Sequence, residues 1–220
     1  MNRISPYYPL FLNLQDRKCV VVGGGEVAER KVTSLIDHGA SVTVISSSLS
    51  PGLAKLAAEG KIQVRSRDYR DGDLSGAILA IAATDDSSVN KNVACEGHEC
   101  GVLTNVVDSP DDCQFIVPAI VRRGDITVAI STGGTSPALA RKLRTKLEEF
   151  LGPGYSSLAA LVSEVRKELK DRNIDVPADR WQDMLDINLL LNMLRTGDFE
   201  SARQRLLSDL IQYREGKSAK

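Results

Sequence analysis

The feature that most restricts the fold is a glycine turn, Gly23-Gly24-Gly25, which directly follows the apolar run of residues 18–22. Apolar side chains at helical spacing follow as far as Gly39, and the β-branched segment Ser41–Ile45 comes next. A strand, a glycine turn, a helix and a second strand form a βαβ unit, in which the two strands are parallel. The sequence therefore predicts a parallel sheet with the glycine turn at the carboxyl end of its first strand.

The same alternation of strands and helices continues to residue 113. Further elements are predicted as helices over Pro51–Glu59 and Ser87–Cys100, and as strands over Ile62–Val64, Ala77–Ala83 and Val102–Val107. The main strands are apolar on both faces, which is typical of a parallel sheet covered by helices on both sides. The predicted fold class is α/β, with a doubly wound, Rossmann-like sheet.

The pattern changes after residue 113. Two strands joined by a compact connection and followed by a helix are predicted, at Phe115–Val121, Asp125–Ser131 and from Pro137 onward. After the break at Gly152-Pro153-Gly154, only helices are predicted, over about 156–172, 178–196 and 198–214. We expect three domains: a nucleotide-binding domain (1–113), a central hairpin-helix segment (114–150) and a C-terminal helical domain (151–220).

Composition and charge exclude several classes of protein. The chain has 28 Lys+Arg and 29 Asp+Glu, so its net charge of −1 lacks the basic excess of a general nucleic-acid binder. No apolar run reaches the roughly 18 residues that span a bilayer, and residues 1–9 lack the apolar region of a signal peptide. We expect a cytoplasmic globular protein that binds neither nucleic acid nor membrane.

The cysteine and histidine pattern predicts neither a disulfide framework nor a metal site. Cys19 lies in an apolar run, where a thiol usually acts as a small hydrophobe. Cys95, His98 and Cys100 do not share one helix face, and no second Cys/His pair follows at zinc spacing. His38 and His98 lie at predicted helix ends, and we expect neither to be catalytic.

The glycine turn matches the pattern G-x-G-x-x-A of dinucleotide-binding proteins. Gly23 permits a tight turn, Gly25 lets the backbone approach a pyrophosphate, and Ala28 permits close helix–strand packing. The following helix N-terminus offers N–H groups and a positive dipole end to phosphates. The alternative is a purely structural glycine turn. Because Ser46-Ser47-Ser48 after the second strand contains neither an acid nor an arginine, the residues leave NAD and NADP undistinguished.

Polar residues that follow two later strands are further candidates. Asp108 follows the fifth strand, at the sheet edge where ligands of open α/β sheets bind, so it can act as a base toward a substrate. The alternative is an aspartate that caps the turn before Pro110. After the fourth strand, we expect Thr84 to lie near the cofactor and Asp86 to cap a helix.

The hydroxyl-rich loop Ser131–Ser136 opens a helix and can hold an anion such as a carboxylate. Arg122, Arg123 and Arg141 lie nearby in the sequence. The alternative is a capped helix with a solvated basic face.

Taken together, these segments resemble the siroheme synthase amino-terminal family of precorrin-2 dehydrogenases, with or without sirohydrochlorin ferrochelatase activity. The matching stretches run in the family's order, at Pro9–Leu12, Val21–Lys31, Ala80–Asp86, Asn105–Asp108, Phe115–Pro118 and Ser131–Pro137. The second and the last of these are much more specific than a bare Rossmann fingerprint. The C-terminal helices resemble the family only in length and character.

The resemblance implies an NAD-dependent oxidation of precorrin-2, a polycarboxylate tetrapyrrole, to sirohydrochlorin, with Asp108 as the general base. The implied cofactor contacts are Gly23, Gly25, Glu26, Val27, Ser47, Ser48 and Thr84. Because the net charge is −1, local donors must bind the substrate carboxylates. The expected substrate-binding residues are Thr132, Thr135, Ser136 and Arg141.

The resemblance has further implications for iron, assembly and control. Some members insert Fe²⁺, with the same aspartate assisting deprotonation, and members are homodimers that exchange their central segments. Thr132 stands where the bacterial fused enzyme has a phosphorylatable serine; threonine keeps the hydroxyl but adds a methyl group, so the resemblance leaves control by phosphorylation open here. The competing hypothesis is a sensor that binds a dinucleotide and signals through its helical tail, without catalysis.

Overall fold

The structure is a computed structural model that describes residues 7–217, with side chains to residue 211. Residues 1–6, which belong to the segment 1–9 considered above as a signal peptide, and residues 218–220 of the predicted C-terminal domain lie outside this range. The chain divides into two compact units, Met1–Val117 and Pro118–Lys220. The three domains expected from the sequence stay a prediction.

The first unit is a five-stranded parallel sheet with the strand order β3-β2-β1-β4-β5. Its strands are β1 (Lys18–Val22), β2 (Ser41–Ile45), β3 (Gln63–Arg65), β4 (Leu79–Ala82) and β5 (Leu103–Val106). Its α-helices are α1 (Glu26–Asp37), α2 (Pro51–Ala58) and α3 (Ser87–Cys100). The predicted Rossmann-like fold class is confirmed.

Alternate residues of the central strands supply two apolar cores, one on each face of the sheet. On one face, Val21 and Val44 pack with Val32 of α1 and Leu53 of α2. On the other face, the strands pack with residues that include Val93 of α3. β4 is buried on both faces and apolar throughout, and so is β1 after its first residue, Lys18, as expected for central parallel strands.

One strand prediction for the region after β5 is partly wrong. Residues 115–118 of the predicted strand Phe115–Val121 are not in a strand. Phe115 packs against the first core, and its carbonyl accepts a hydrogen bond from the Asn105 side chain at 3.0 Å. Pro118 has no N–H for a sheet ladder, so the strand begins only at Ala119.

The second unit joins an antiparallel hairpin to five helices. The hairpin consists of β6 (Ala119–Arg123) and β7 (Ile126–Ile130). The helices are α4 (Pro137–Phe150), α5 (Gly154–Asp171), α6 (Ala178–Met184), α7 (Ile187–Arg195) and α8 (Phe199–Lys217). Leucines of α5, α7 and α8 form a separate apolar core. None of the helices between residues 7 and 217 has the length and apolar content needed to cross a bilayer.

The predicted continuous helix over 178–196 is wrong, because the structure divides it into α6 and α7. The side chain of Asp186 accepts a hydrogen bond from the backbone N–H of Leu189 at 3.0 Å and thereby caps α7. Aspartate competes for backbone donors in this way, and this favours a new helix start over a continuous helix.

Candidate functional site

Two of the three glycines in the turn are required by the protein's own packing. Gly23 has φ +124°, and a Cβ atom there would lie 2.2 Å from the carbonyl oxygen of Ala83. A Cβ atom on Gly24 would lie 1.8 Å from the carbonyl oxygen of Ser48. The glycine turn is therefore wedged between the loops that follow β4 and β2.

Gly25 differs, because a Cβ atom there would meet nothing within 4 Å. It is the N-cap residue of α1 and provides no side-chain cap. Among the described residues, no acceptor takes the backbone N–H groups of Gly25, Glu26 and Val27. Unpaired donors at a helix N-terminus, beside space that no side chain fills, are the groups that bind a pyrophosphate. The turn therefore fits a dinucleotide.

The loop after β2 is fastened to this turn. The backbone N–H of Ser50 donates to the carbonyl oxygen of Gly24 at 2.7 Å, and its hydroxyl donates to a Glu29 carboxylate oxygen at 2.5 Å. The hydroxyl of Ser46 donates to the carbonyl oxygen of Ser48 at 2.7 Å. Ser47 and Ser48 are exposed beside the glycine turn, and their contact with the cofactor stays a prediction.

Strand pairing brings an arginine to the end of β2, a residue that the sequence analysis missed. Arg65 of β3 pairs with Ile45, and its carbonyl oxygen accepts the Ser46 N–H at 3.2 Å. The guanidinium groups of Arg65 and Arg67 donate to the buried carboxylate of Asp73 at 2.5 and 2.7 Å. Hydrogen bonding, chiefly from Arg67, lowers the pKa of Asp73 to about 2. The sequence predicted a strand over Ile62–Val64 but not its neighbour in the sheet, so nothing in the sequence pointed to Arg65.

The loop after β4 is organised by its own side chains. The hydroxyl of Thr84 lies 2.9 Å from Oδ1 of Asn90 and 3.0 Å from the carbonyl oxygen of Asp86. The Asp86 carboxylate accepts the N–H groups of Ser88 and Val89, so the predicted helix cap is confirmed. Hydrogen bonds to the charged form lower the pKa of Asp86. The expected contact of Thr84 with the cofactor stays a prediction.

Asp108 lies in a tight turn directly after β5. The turn is closed by the Ser109 N–H, which donates to the Val106 carbonyl oxygen at 3.3 Å. Asp108 has φ +62°, a left-handed conformation that is uncommon for a residue other than glycine. Its exposed carboxylate makes no hydrogen bond or ion pair with the side chains described up to residue 211 or with the backbone of residues 7–217. It does not cap the 3-10 helix Pro110–Asp112, so it can meet a ligand.

The chain returns along β5 after this turn and covers the outer side of the strand. The Gln114 N–H donates to the Thr104 carbonyl oxygen at 2.9 Å, and the Gln114 side-chain oxygen accepts the Thr104 N–H at 3.0 Å. The thiol of Cys113 meets the N–H and the carbonyl oxygen of Val106, each at 3.2 Å. The end of β5 is thus held on both sides.

The loop Ser131–Ser136 belongs to the second unit, and much of its hydroxyl capacity is used internally. The Thr135 hydroxyl donates to the Thr132 carbonyl oxygen at 2.5 Å. The Ser136 hydroxyl accepts the Leu139 N–H at 3.2 Å, which caps α4. Arg141 is exposed, and no ion pair joins it to a side chain described up to residue 211. Its binding to a substrate carboxylate stays a prediction.

Arg123, one of the arginines near this loop in the sequence, has a structural role. The guanidinium of Arg123 donates to the carbonyl oxygens of Leu151 and Glu148, at 2.6 and 3.0 Å. These carbonyls lie at the C-terminal end of α4, where a cation is stabilising. Arg123 therefore serves the fold of the second unit, whereas Arg122 remains exposed.

The predicted cofactor contacts lie at the carboxyl ends of β1, β2 and β4, and Asp108 follows the neighbouring strand end. The same edge of the sheet thus carries the backbone N–H groups that can bind a phosphate and the carboxylate of Asp108. In the part of the chain that the structure describes, no three His, Cys, Asp or Glu side chains are grouped to hold a metal. Cys19 is buried, and burial raises the pKa of its thiol to about 11, as expected for a structural residue.

Comparison with known proteins agrees with this geometry. Residues 10–119 match the model of a putative NAD(P)-binding family, and residues 123–149 match that of the sirohaem biosynthesis protein central segment. A siroheme synthase of Methylobacillus flagellatus is 44% identical over 214 residues, covering 95% of this chain and 46% of that protein. A siroheme synthase of Thioalkalivibrio sulfidiphilus is 42% identical over 202 residues, covering 91% of this chain and 41% of that protein.

A solved structure resembles the whole fold. SirC, a precorrin-2 dehydrogenase, superposes with a TM-score of 0.72 at 26% sequence identity, covering 91% of this chain and 98% of that chain. By contrast, the chain spans less than half the length of the siroheme synthases just described.

Proposed function

Because the chain belongs to the siroheme synthase amino-terminal family, we propose that it is a precorrin-2 dehydrogenase. The enzyme oxidises precorrin-2 to sirohydrochlorin with NAD⁺ as the acceptor. One observation carries the proposal: the open donors of the glycine turn and the unpartnered carboxylate of Asp108 lie along one sheet edge. A dinucleotide sensor would need the donors but no such carboxylate.

The oxidation consists of a hydride transfer and a proton transfer. The substrate loses two electrons and one hydrogen nucleus as hydride, for which the nicotinamide ring is the acceptor when NAD⁺ is bound. The second hydrogen leaves as a proton, and Asp108 accepts it at a carboxylate oxygen. Gly25, Glu26 and Val27 hold the pyrophosphate through their N–H groups, and Ser47, Ser48 and Thr84 contact the rest of the cofactor.

Binding of the tetrapyrrole requires groups that meet its carboxylates, which are ionised at neutral pH. We assign this role to the second unit, where Thr132, Thr135 and Ser136 begin α4 and Arg141 is exposed one turn later. The helix N-terminus and the guanidinium are both attractive to anions.

The decisive experiment replaces the general base. Asp108→Ala should lower kcat by about 10²–10⁴-fold while NAD⁺ affinity is unchanged, because the carboxylate lies outside the glycine turn. Precorrin-2 oxidation is followed by absorbance, and NAD⁺ binding by titration. The matched control is Asp111→Ala, which removes an exposed carboxylate three residues away. A wild-type kcat for Asp108→Ala would exclude Asp108 from the mechanism.

We propose a second activity, insertion of Fe²⁺ into sirohydrochlorin, with iron as a substrate. The relatives named siroheme synthase support it. Insertion exchanges Fe²⁺ for two pyrrole N–H protons, and a base such as Asp108 can accept these protons one after the other and pass them to water. Anaerobic addition of Fe²⁺ and sirohydrochlorin should produce siroheme with the wild type and not with Asp108→Ala. No siroheme from the wild type would limit the protein to dehydrogenation.

We also propose a homodimer. On the central segment, Leu139, Leu143 and Phe150 of α4 are 50%, 38% and 70% exposed in one copy, and a second copy would bury them. Sedimentation should give twice the mass of one chain, and Leu143→Asp should shift the protein toward the monomer.

A further inference from the structure

The turn that carries Asp108 is fastened at both ends by one thiol. The backbone N–H of Val106 donates to the sulfur of Cys113 at 3.2 Å. The same sulfur lies 3.2 Å from the carbonyl oxygens of Val106 and Ser109, to which the thiol hydrogen can be donated. Val106 and Ser109 are the first and last residues of the turn that contains Asp108.

This turn needs such fastening because of its backbone conformation. Asp108 has φ +62°, and a residue with a Cβ atom leaves this region readily unless its surroundings hold it there. The turn's own closing bond, from the Ser109 N–H to the Val106 carbonyl oxygen, is long at 3.3 Å. The exposed carboxylate has no partner within the described chain that would fix its direction.

Cys113 is itself held by the fold. It packs against the core on the α3 face of the sheet, and its backbone N–H donates to the Pro110 carbonyl oxygen at 3.2 Å. The Asn105 side chain donates to the sulfur at 3.4 Å. A second bond crosses the same loop, from the Ser109 hydroxyl to the Asp112 carboxylate at 2.6 Å. The thiol therefore faces backbone groups of the turn and takes its position from the core.

We propose that Cys113 is a positioning residue for the oxidation: its thiol holds the Val106–Ser109 turn in the conformation that directs the Asp108 carboxylate toward the substrate. The proposal rests on the proposed function of Asp108. Cys113 itself contacts neither substrate nor cofactor, so its loss should change the rate of proton transfer and leave the binding of both ligands intact.

The test uses the full chain and compares kcat with KM. Cys113→Ala should lower kcat by about 10- to 100-fold, since a misplaced base loses much of its effect, with both KM values within about twofold of the wild type. Cys113→Ser should recover most of this loss, because a hydroxyl still donates and accepts. Cys95→Ala, at an exposed cysteine, is the matched control and should behave as wild type.

A double-mutant cycle separates positioning from general damage to the protein. If Cys113 acts only through Asp108, adding Cys113→Ala to Asp108→Asn should lower kcat by less than about twofold. Hydrogen exchange gives a readout independent of activity: the amides of residues 106–110 should exchange faster in Cys113→Ala than in Cys113→Ser or Cys95→Ala.

Two results would overturn the proposal. One is a wild-type kcat and unchanged exchange in Cys113→Ala while Asp108→Asn is inactive. The other is a decrease in kcat from Cys113→Ala that is equally large in the wild type and in Asp108→Asn. A wild-type kcat in Asp108→Asn is a different result, because it removes the proposed function of Asp108 and the positioning role with it.

Discussion

Gly25 is the glycine at which cofactor binding can be separated from folding. Its φ of −83° suits any residue, and the space around its Cα is open. We expect Gly25→Val to stay folded, with a Tm lowered only modestly because valine is a poorer N-cap residue than glycine. It should lose NAD⁺ affinity by at least about tenfold, because the side chain occupies the place of the pyrophosphate. Titration with NAD⁺ and thermal unfolding measure the two properties.

The neighbouring Gly23 provides the contrast. Gly23→Ala would place a methyl group against the Ala83 carbonyl at φ +124°, so it should reduce the free energy of unfolding by more than about 1 kcal/mol. If Gly25→Val instead binds NAD⁺ like the wild type, the turn has a structural role only.

Asp73 should make the stability of the first unit depend on pH. Its pKa of about 2, against an ordinary 3.8, means that the charged form stabilises the fold above pH 4, and this contribution disappears as the pH falls from about 4 to 2. Asp73→Asn should reduce the free energy of unfolding at pH 7 by about 2 kcal/mol. Urea denaturation at several pH values should show the wild type and the variant converging below pH 4.

Asp68→Asn is the control for this prediction, since Asp68 is exposed and its removal should change stability little. A difference between wild type and Asp73→Asn that is independent of pH would show that the carboxylate charge is not what stabilises the crossover between β3 and β4.

Single residues were predictable where their role depends on local geometry. The glycines of the turn and the cap at Asp86 follow from spacing and residue type. The Arg65–Asp73 ion pair and the bonds of Cys113 to Val106 did not follow, because they depend on strand pairing and on the path of a loop. Neither leaves a periodic pattern in the sequence.

At the scale of elements, the same distinction holds. The bounds of β1, β2 and α3 agree with the predicted segments, because their apolar patterns and caps are local. Prediction was wrong at residues 115–118, where the chain packs beside β5, and at Asp186, where a side chain starts a new helix. Backbone hydrogen bonding decides both places and the apolar pattern does not: Pro118 has no N–H for a sheet ladder, and the Asp186 side chain caps a new helix.

The N-terminal end of α4 is the element to which we assign substrate carboxylates. The double variant Thr135→Ala with Arg141→Ala should raise the KM for the tetrapyrrole by about tenfold or more, because each lost charge-assisted contact is worth on the order of 1.5–3 kcal/mol when desolvated. The effect should weaken with salt, since exposed charges are screened. NAD⁺ affinity should stay unchanged.

Arg144→Ala is the matched control on the same helix, because Arg144 is paired with Glu148 and has no assigned ligand. If the double variant keeps the wild-type KM, the carboxylates bind elsewhere, and the exposed faces of the C-terminal helices become the next candidates.

At the scale of the whole molecule, the two units have separate cores. NAD⁺ should therefore stabilise only the unit that ends at Val117, by about 2.7 kcal/mol at a concentration of 100 times Kd. Calorimetry should show one unfolding transition moving with NAD⁺ and another staying in place. Gly25→Val should abolish the shift, and a single transition that moves as a whole would contradict the prediction.

The pairing of the outer edge of β5 by the chain that follows it should also protect the protein from aggregation. An edge strand usually presents unpaired backbone groups to which a foreign strand can add. Here the outward groups of Thr104 are bonded to Gln114, and those of Val106 to Cys113. A fragment that stopped after Cys113 would lack Gln114, so the backbone N–H and carbonyl oxygen of Thr104 would be unpaired and open to a foreign strand. A fragment that continued to Val117 would keep both groups paired. The longer fragment would therefore be the better choice for crystallisation.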